Sequence, residues 1–199
     1  MKSLSTLQIS DTDEQITDAD LLSSIAQGDE TAVIALYDRY HRVLFGLIVR
    51  ILHNHAESED LLQEVFVQVW QKAQNFDQER GKAFTWLMTI THCRAIDRLR
   101  FLRTRTRTTE KVKASKPLYT DSKIEHNLIL QNRQKMVRTA LSQLPEKERE
   151  LLLMAYFAGH TQQEIAEQTN IPLGTVKTRM RMGMMKLRET LNADSHIWL

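Results

Sequence analysis

Residues 161–191 read TQQEIAEQTNIPLGTVKTRMRMGMMKLRETL. Thr161 followed three positions later by Glu164 is a capping-box pattern, which opens a helix by satisfying two backbone N–H groups reciprocally. A short helix is expected from Gln162 to about Thr169. Asn170-Ile171-Pro172-Leu173-Gly174 reads as a tight connection. A second helix is expected from about Thr175 to Leu191. Ile165 and Ala166 face inward, the small Ala166 suiting a place where two helices cross closely. Val176, Met180 and Leu187 give the second helix a buried stripe, and its outward face carries Lys177, Thr178, Arg179, Arg181, Lys186 and Arg188. Residues 174–191 hold five basic side chains and one acidic, a net +4. The pattern is a helix-turn-helix whose basic second helix suits a DNA major groove. There Lys and Arg neutralise phosphates or bind guanine edges, the latter worth about 1–3 kcal/mol of discrimination per bidentate pair. Thr175 and Thr178 reach bases or phosphates from the helix N-terminus.

The stretch before it is helical too. Pro145 suits the first turn of a helix, and Glu146 and Glu148 suit its N-terminal dipole. Leu151, Leu152, Met154, Ala155 and Phe157 supply its apolar residues, and Gly159 ends it. Helical pattern begins near Ile124 and runs to Leu144. Upstream, RTRTRTTEKVKASKPLYTDSK (103–123) has no apolar periodicity and reads as a basic, flexible linker. Nine basic residues from Arg94 to Lys116 face only Asp97 and Glu110, a net +7. Earlier still, Leu21, Leu22 and Ile25 mark a short helix closed by Gly28. Val33, Leu36, Tyr37, Tyr40, Leu44, Leu47, Ile48 and Ile51 recur at spacings of three and four. Leu62, Val65, Phe66, Val69, Trp70 and Ala73 form a further helical stripe, and Phe84, Leu87, Ile90, Ile96 and Leu99 another. The expected architecture is all-α, with two small helical domains, 18–102 and 124–192, joined by the linker 103–123 and flanked by tails at 1–17 and 193–199.

Composition agrees. The 199 residues include six Gly and three Pro, too few for the many turns of a sandwich or barrel. Hydrophobic residues make up 42% and charged residues 26%, as in ordinary globular proteins. The formal net charge of +2 is an average that conceals the two basic stretches. The single cysteine, Cys93, precludes an intramolecular disulfide and nearly excludes a cysteine-ligated zinc. The N-terminus lacks an apolar signal-peptide core, and no apolar run approaches the roughly 18 residues of a membrane span. The expected setting is the cytoplasm. There is no Gly-rich phosphate loop, no nucleophile elbow and no HExxH spacing. His53 and His55, two apart, do not face one way and read as a polar helix terminus. Neither catalysis, a metal nor a cofactor is expected.

Two blocks together resemble the extracytoplasmic-function (ECF) sigma factors, minimal bacterial transcription initiation subunits. The first is AESEDLLQEVFVQVWQKAQNF (56–76) followed by AFTWLMTITHCRAIDRLR (83–100). The second is LPEKERELLLMAYFAGHTQQEIAEQTNIPLGTVKTRMRMGMMKLRETL (144–191). The resemblance covers about residues 18–192. It implies that the D-L-L-Q-E helix (60–64) docks on the clamp of the largest catalytic subunit of core RNA polymerase, with Asp60, Gln63 and Glu64 at the matching positions. Independently, helical spacing puts these three and Val67 opposite the Leu62–Phe66–Val69 stripe. The segment NFDQERGKAFTW (75–86) matches the loop that captures a flipped base of the −10 element. Asn75, Phe76 and Trp86 are its candidate strand-separation residues; aromatic rings stack on unpaired bases for about 1–3 kcal/mol each. Trp86 reads equally as a core residue, and Phe84 better as one. Arg94, Asp97, Arg98 and Arg100 on the following helix should complete the −10 contact. Thr175, Lys177, Thr178, Arg179 and Arg181 match the positions that read the −35 element. The implied partners are core RNA polymerase (the clamp of the largest subunit and the flap of the second largest), promoter DNA and an anti-sigma protein.

The chain departs from the family at Cys93, where many members have Asn. A thiol cannot make a bidentate amide contact, so −10 preference at that position should differ. A redox-responsive thiol beside His92 is the alternative to a passive small residue. As for function, a dimeric operator-binding helix-turn-helix regulator explains the second block and leaves the first unexplained.

Overall fold

The computed structural model describes residues 16–109 and 128–193. Among these it contains eight α-helices and no strand. The expected tails before residue 16 and after residue 193, and the linker from residue 110 onward, lie outside the described residues.

Helix α1 (Asp18–Ala26) starts at Thr17, whose side chain and Asp20 form a capping box with both bonds present. These bonds to Thr17 hold the Asp20 carboxyl below its usual range. Asp29 caps α2 (Glu30–Leu52) by accepting from Thr31 and Ala32. His53 closes α2 in left-handed conformation, and the Asn54 side chain opens α3 (His55–Lys72) by accepting from the Glu57 N–H. His53 and His55 are thus a helix junction, as read. Two 3₁₀ turns, Ala73–Asn75 and Gln78–Arg80, lead into α4 (Ala83–Thr109).

The apolar stripes explain why α1–α4 pack into one body. Leu22, Ile25, Leu36, Leu44, Ile48, Leu61, Val65, Val69 and Leu87 are almost fully buried in a shared core. Two stripe residues fall at its margin instead: Tyr37 and Trp70 each keep 38% of their surface exposed. Tyr37 lies 4.8 Å from the Phe66 ring and stacks on His41.

Helix α4 corrects one boundary. The stretch from Arg103, read as linker, stays helical to Thr109. Arg is a good helix former, and Arg103, Thr104 and Arg105 are exposed, so no apolar stripe is needed there. The Thr104 hydroxyl donates to the Arg100 carbonyl within this extension.

The remaining helices are α5 (Leu128–Ser142), α6 (Glu146–Tyr156), α7 (Gln162–Thr169) and α8 (Leu173–Ala193). Their core is small: Leu151, Ile165 and Val176 are buried, with Met154, Ala166, Ile171 and Met180 packed around them. Helices α6 and α8 approach closely at Gly183, where a β-carbon would lie 2.9 Å from Leu152 Cδ1. The sequence reading had given Gly183 no part.

Candidate nucleic-acid interface

The helix-turn-helix forms largely as its local chemistry dictates. The Glu164 N–H donates to Thr161 Oγ1 at 3.2 Å, and the Thr161 N–H donates to Glu164 Oε2 at 2.7 Å. The latter bond, first among several causes, holds the Glu164 carboxyl below its usual range. Asn170 ends α7 with φ 52°, and the Ile171 N–H returns to the Ala166 carbonyl at 3.2 Å. The Pro172 carbonyl then accepts from Thr175 at 2.8 Å and Val176 at 3.0 Å. Helix α8 therefore begins at Leu173, two residues before the expected start, and Gly174 belongs to the helix. Thr161→Ala should cost about 1 kcal/mol, the usual worth of an N-cap, lowering the midpoint of thermal unfolding followed by circular dichroism.

Around the start of α8, Lys177, Thr178 and Arg181 are exposed, while Thr175 and Arg179 are half-buried. The Thr178 hydroxyl donates to the Gly174 carbonyl at 2.9 Å. Lys186, expected on the outward basic face, is turned onto α6. Its ammonium donates to both oxygens of Glu148 at 3.0 Å.

On α3, Asp60 and Gln63 are exposed, as is Val67, which keeps 56% of its surface. They line a shallow groove with Glu64, Gln71 and Arg94. Glu64 departs from the simple picture of a free acidic face. It accepts from Arg94 at 2.8 Å and from Arg98 at 2.5 Å. Arg98 also donates to Glu57 at 2.7 Å, which with Glu64 raises the guanidinium pKa above its ordinary value. The residues expected to meet polymerase and those expected to meet DNA are thus joined across α3 and α4.

Asn75 is exposed at the end of the first 3₁₀ turn. Phe76 and Trp86 meet edge-on with centroids 5.8 Å apart, both partly buried against the core. Phe84 packs on Tyr40 at 5.5 Å. Asp97 is exposed, and so is Cys93.

A second face of α4 holds the turn after α6. The His92 ring stacks on Tyr156 at 4.0 Å, and His92 Nε2–H donates to the Tyr156 carbonyl at 2.8 Å. Arg100 Nη2 donates to the Gly159 carbonyl at 3.1 Å, and Arg103 Nη1 to the Ala158 carbonyl at 2.8 Å. These carbonyls follow the end of α6, where helical partners run out and cations are favoured. The Arg50 guanidinium sits 4.2 Å over the Phe157 ring, a cation–π contact. Gly159 takes φ +64°, with its β-carbon position 3.2 Å from Ile96. Burial pushes the Tyr156 phenol up and the His160 imidazole down from their usual values.

Comparison with known proteins settles the family. The model of Sigma-70 region 2 matches residues 36–106, and that of Sigma-70 region 4 matches residues 134–187. The ECF RNA polymerase sigma factor SigK of Mycolicibacterium vanbaalenii is 33% identical over 171 residues, covering 86% of this chain and 87% of the relative. The chain belongs to the ECF RNA polymerase sigma factors. SigK of Mycobacterium tuberculosis is 30% identical over 174 residues, covering 87% of this chain and 93% of that one. Among solved structures, the chain is similar to Rhodobacter sphaeroides SigE in complex with the anti-sigma ChrR. That likeness has 29% identity, a TM-score of 0.44, and covers 87% of this chain and 97% of the other.

As an ECF sigma factor it is an alternative sigma factor that directs promoter-specific transcription. Its matched regions correspond to the two helical groups, α2–α4 and α5–α8. Among the described residues no helix is long and apolar enough to cross a membrane. The sequence reading missed the engagement of Arg94, Arg98 and Arg100 by protein groups. It also missed Glu57 and the Tyr156–Gly159 turn as their partners. The partners of these arginines lie 30 to 59 positions away along the chain, beyond the reach of any local spacing rule.

Proposed function

We propose that this sigma factor binds core RNA polymerase through the exposed face of α3 and reads promoters through α4 and α8. Asp60 and Gln63, with Glu64 beside them, offer an acidic, amide-bearing surface with the apolar Val67 for the clamp of the largest subunit. The flap of the second-largest subunit is the partner for the α5–α8 group. Asn75, Phe76 and Trp86 engage the unpaired −10 strand, and Arg94, Asp97, Arg98 and Arg100 extend that contact. Thr175, Lys177, Thr178, Arg179 and Arg181 read the −35 element. The protein acts in the cytoplasm as a regulatory subunit without catalytic chemistry of its own. An anti-sigma protein is its expected antagonist, as ChrR is found with the similar SigE.

The observation that carries this reading is the α8 N-terminal surface. Lys177, Thr178 and Arg181 are exposed there, on a helix whose other face is pinned by Val176 and Gly183. The deciding experiment adds the protein to core polymerase and measures run-off transcription from promoter templates. Promoter-specific product that needs both components supports the reading. Tight, specific DNA binding without core, and no gain of initiation with it, supports an operator-binding regulator instead. Within that assay, Arg179→Ala should lower −35-dependent initiation about tenfold, the worth of one base contact, and leave core binding unchanged.

A further inference from the structure

In this structure the guanidiniums of Arg94 and Arg98 are committed to carboxylates of α3. Arg98 spends one terminal nitrogen on Glu57 and the other on Glu64, while Arg94 spends one on Glu64. Asp60 lies along the groove with Arg94, and Asp97 lies in the adjoining hollow with both arginines. Four carboxylates therefore surround two guanidiniums, and even with Lys72, which also lines the groove, the formal local charge is negative. Such a surface repels a phosphate, whatever the surplus of arginines along α4 suggests. Charge-assisted bonds of this kind, on partly buried side chains, are stronger than neutral ones and must be exchanged before either arginine meets DNA.

We infer that the Glu57–Arg98–Glu64–Arg94 network couples polymerase binding to −10 binding, with Glu57 the positioning residue that holds Arg98 away from DNA in the free subunit. The inference rests on the proposed assignment of α3 to polymerase and α4 to the −10 strand. A basic partner segment docking at Asp60 and Gln63 compensates the charge of Glu64. The two arginines then lose the attraction that holds them on α3, and become available to phosphates. By linkage the converse holds equally: DNA that draws off Arg94 and Arg98 frees Glu64 for polymerase. Glu57 stands one turn before Asp60, outside the surface assigned to the clamp, and its ion pair among the described residues is with the arginine it restrains.

The test uses the full chain with Glu57→Gln, which keeps side-chain size and removes the charge. The probe is a fluorescein-labelled single strand spanning the −10 element of a promoter active in the run-off assay, titrated with and without core. The free variant should bind the strand about five- to tenfold more tightly than wild type, in the lower range of measured couplings between sites. The tightening caused by core should shrink by the same factor, and affinity for core should rise with it, as the same linkage requires. Freeing one phosphate contact should also steepen the plot of log affinity against log salt by about 0.7, a readout that mere loosening of the fold would not give. Adding Arg98→Gln to Glu57→Gln should abolish the gain. If the free variant binds the strand as wild type does, with an unchanged salt slope and a wild-type circular dichroism spectrum, the interlock is refuted. If wild-type holoenzyme does not bind the strand at all, the assignment of α4 fails, and the interlock with it.

Discussion

Ile165→Ala should unfold the helix-turn-helix and leave α1–α4 folded. Ile165 is fully buried, and among the described residues it shares its core with two other buried residues, Leu151 and Val176. Removing a buried Ile side chain typically costs 2–5 kcal/mol, because the cavity left behind is only partly refilled. Here Ile165 joins α7 to both α6 and α8, so little remains to hold α7 against its neighbours. The α1–α4 core, with Leu22, Leu36, Ile48 and Val65 at its centre, does not include this residue. Hydrogen exchange should therefore show lost protection in 146–193 and retained protection in α2 and α3. In transcription, −35 discrimination should vanish while core binding through α3 persists. Global unfolding at the same denaturant concentration for both groups would show that they melt as one unit.

Asp60→Ala with Gln63→Ala should weaken core binding by one to two orders of magnitude, as loss of two central interface residues commonly does. These two are the right pair because both are exposed and, among the described residues, make no interhelical ion pair, whereas Glu64 is tied to Arg94 and Arg98. A variant at Glu64 would alter polymerase binding and the α3–α4 contact together. The pair should leave thermal stability within about 0.5 kcal/mol of wild type, as expected of exposed positions. Co-purification with core at graded salt, beside a thermal melt, measures both. Undiminished core affinity would remove α3 from the interface.

How much of this was legible in the sequence depends on the range of the interaction. The Thr161–Glu164 capping box acts over three residues, and α7 starts and ends where its residues imply. The start of α8 was misplaced by two positions because a proline is easily taken as a stop, whereas its carbonyl opens the next helix here. The end of α4 was invisible to apolar periodicity, since Arg and Thr alternate from Arg103 to Thr108 and leave no apolar residue to mark a stripe. The packing at Gly183 was hidden for the opposite reason: the signal is a missing side chain opposite Leu152. For the candidate site, the exposure of Asp60, Gln63, Lys177 and Arg181 follows from helical spacing. The commitments of Arg94, Arg98 and Arg100 do not, because each is decided by an element distant in sequence.

The turn after α6 carries a consequence for how this contact can evolve. Arg100 and Arg103 hold carbonyl oxygens of Gly159 and Ala158, and His92 holds that of Tyr156. Every amino acid supplies a carbonyl, so substitutions at Ala158 leave the acceptor in place. Mutational sensitivity should be lopsided: drift on the turn is tolerated, while α4 must keep its donors. Tyr156 and Phe157 are exceptions through their ring contacts with His92 and Arg50, and Gly159 is another, since its left-handed backbone and the nearness of Ile96 both resist a side chain. For these three hydrogen bonds one helix thus carries the chemical memory, and its partner contributes the path of its main chain.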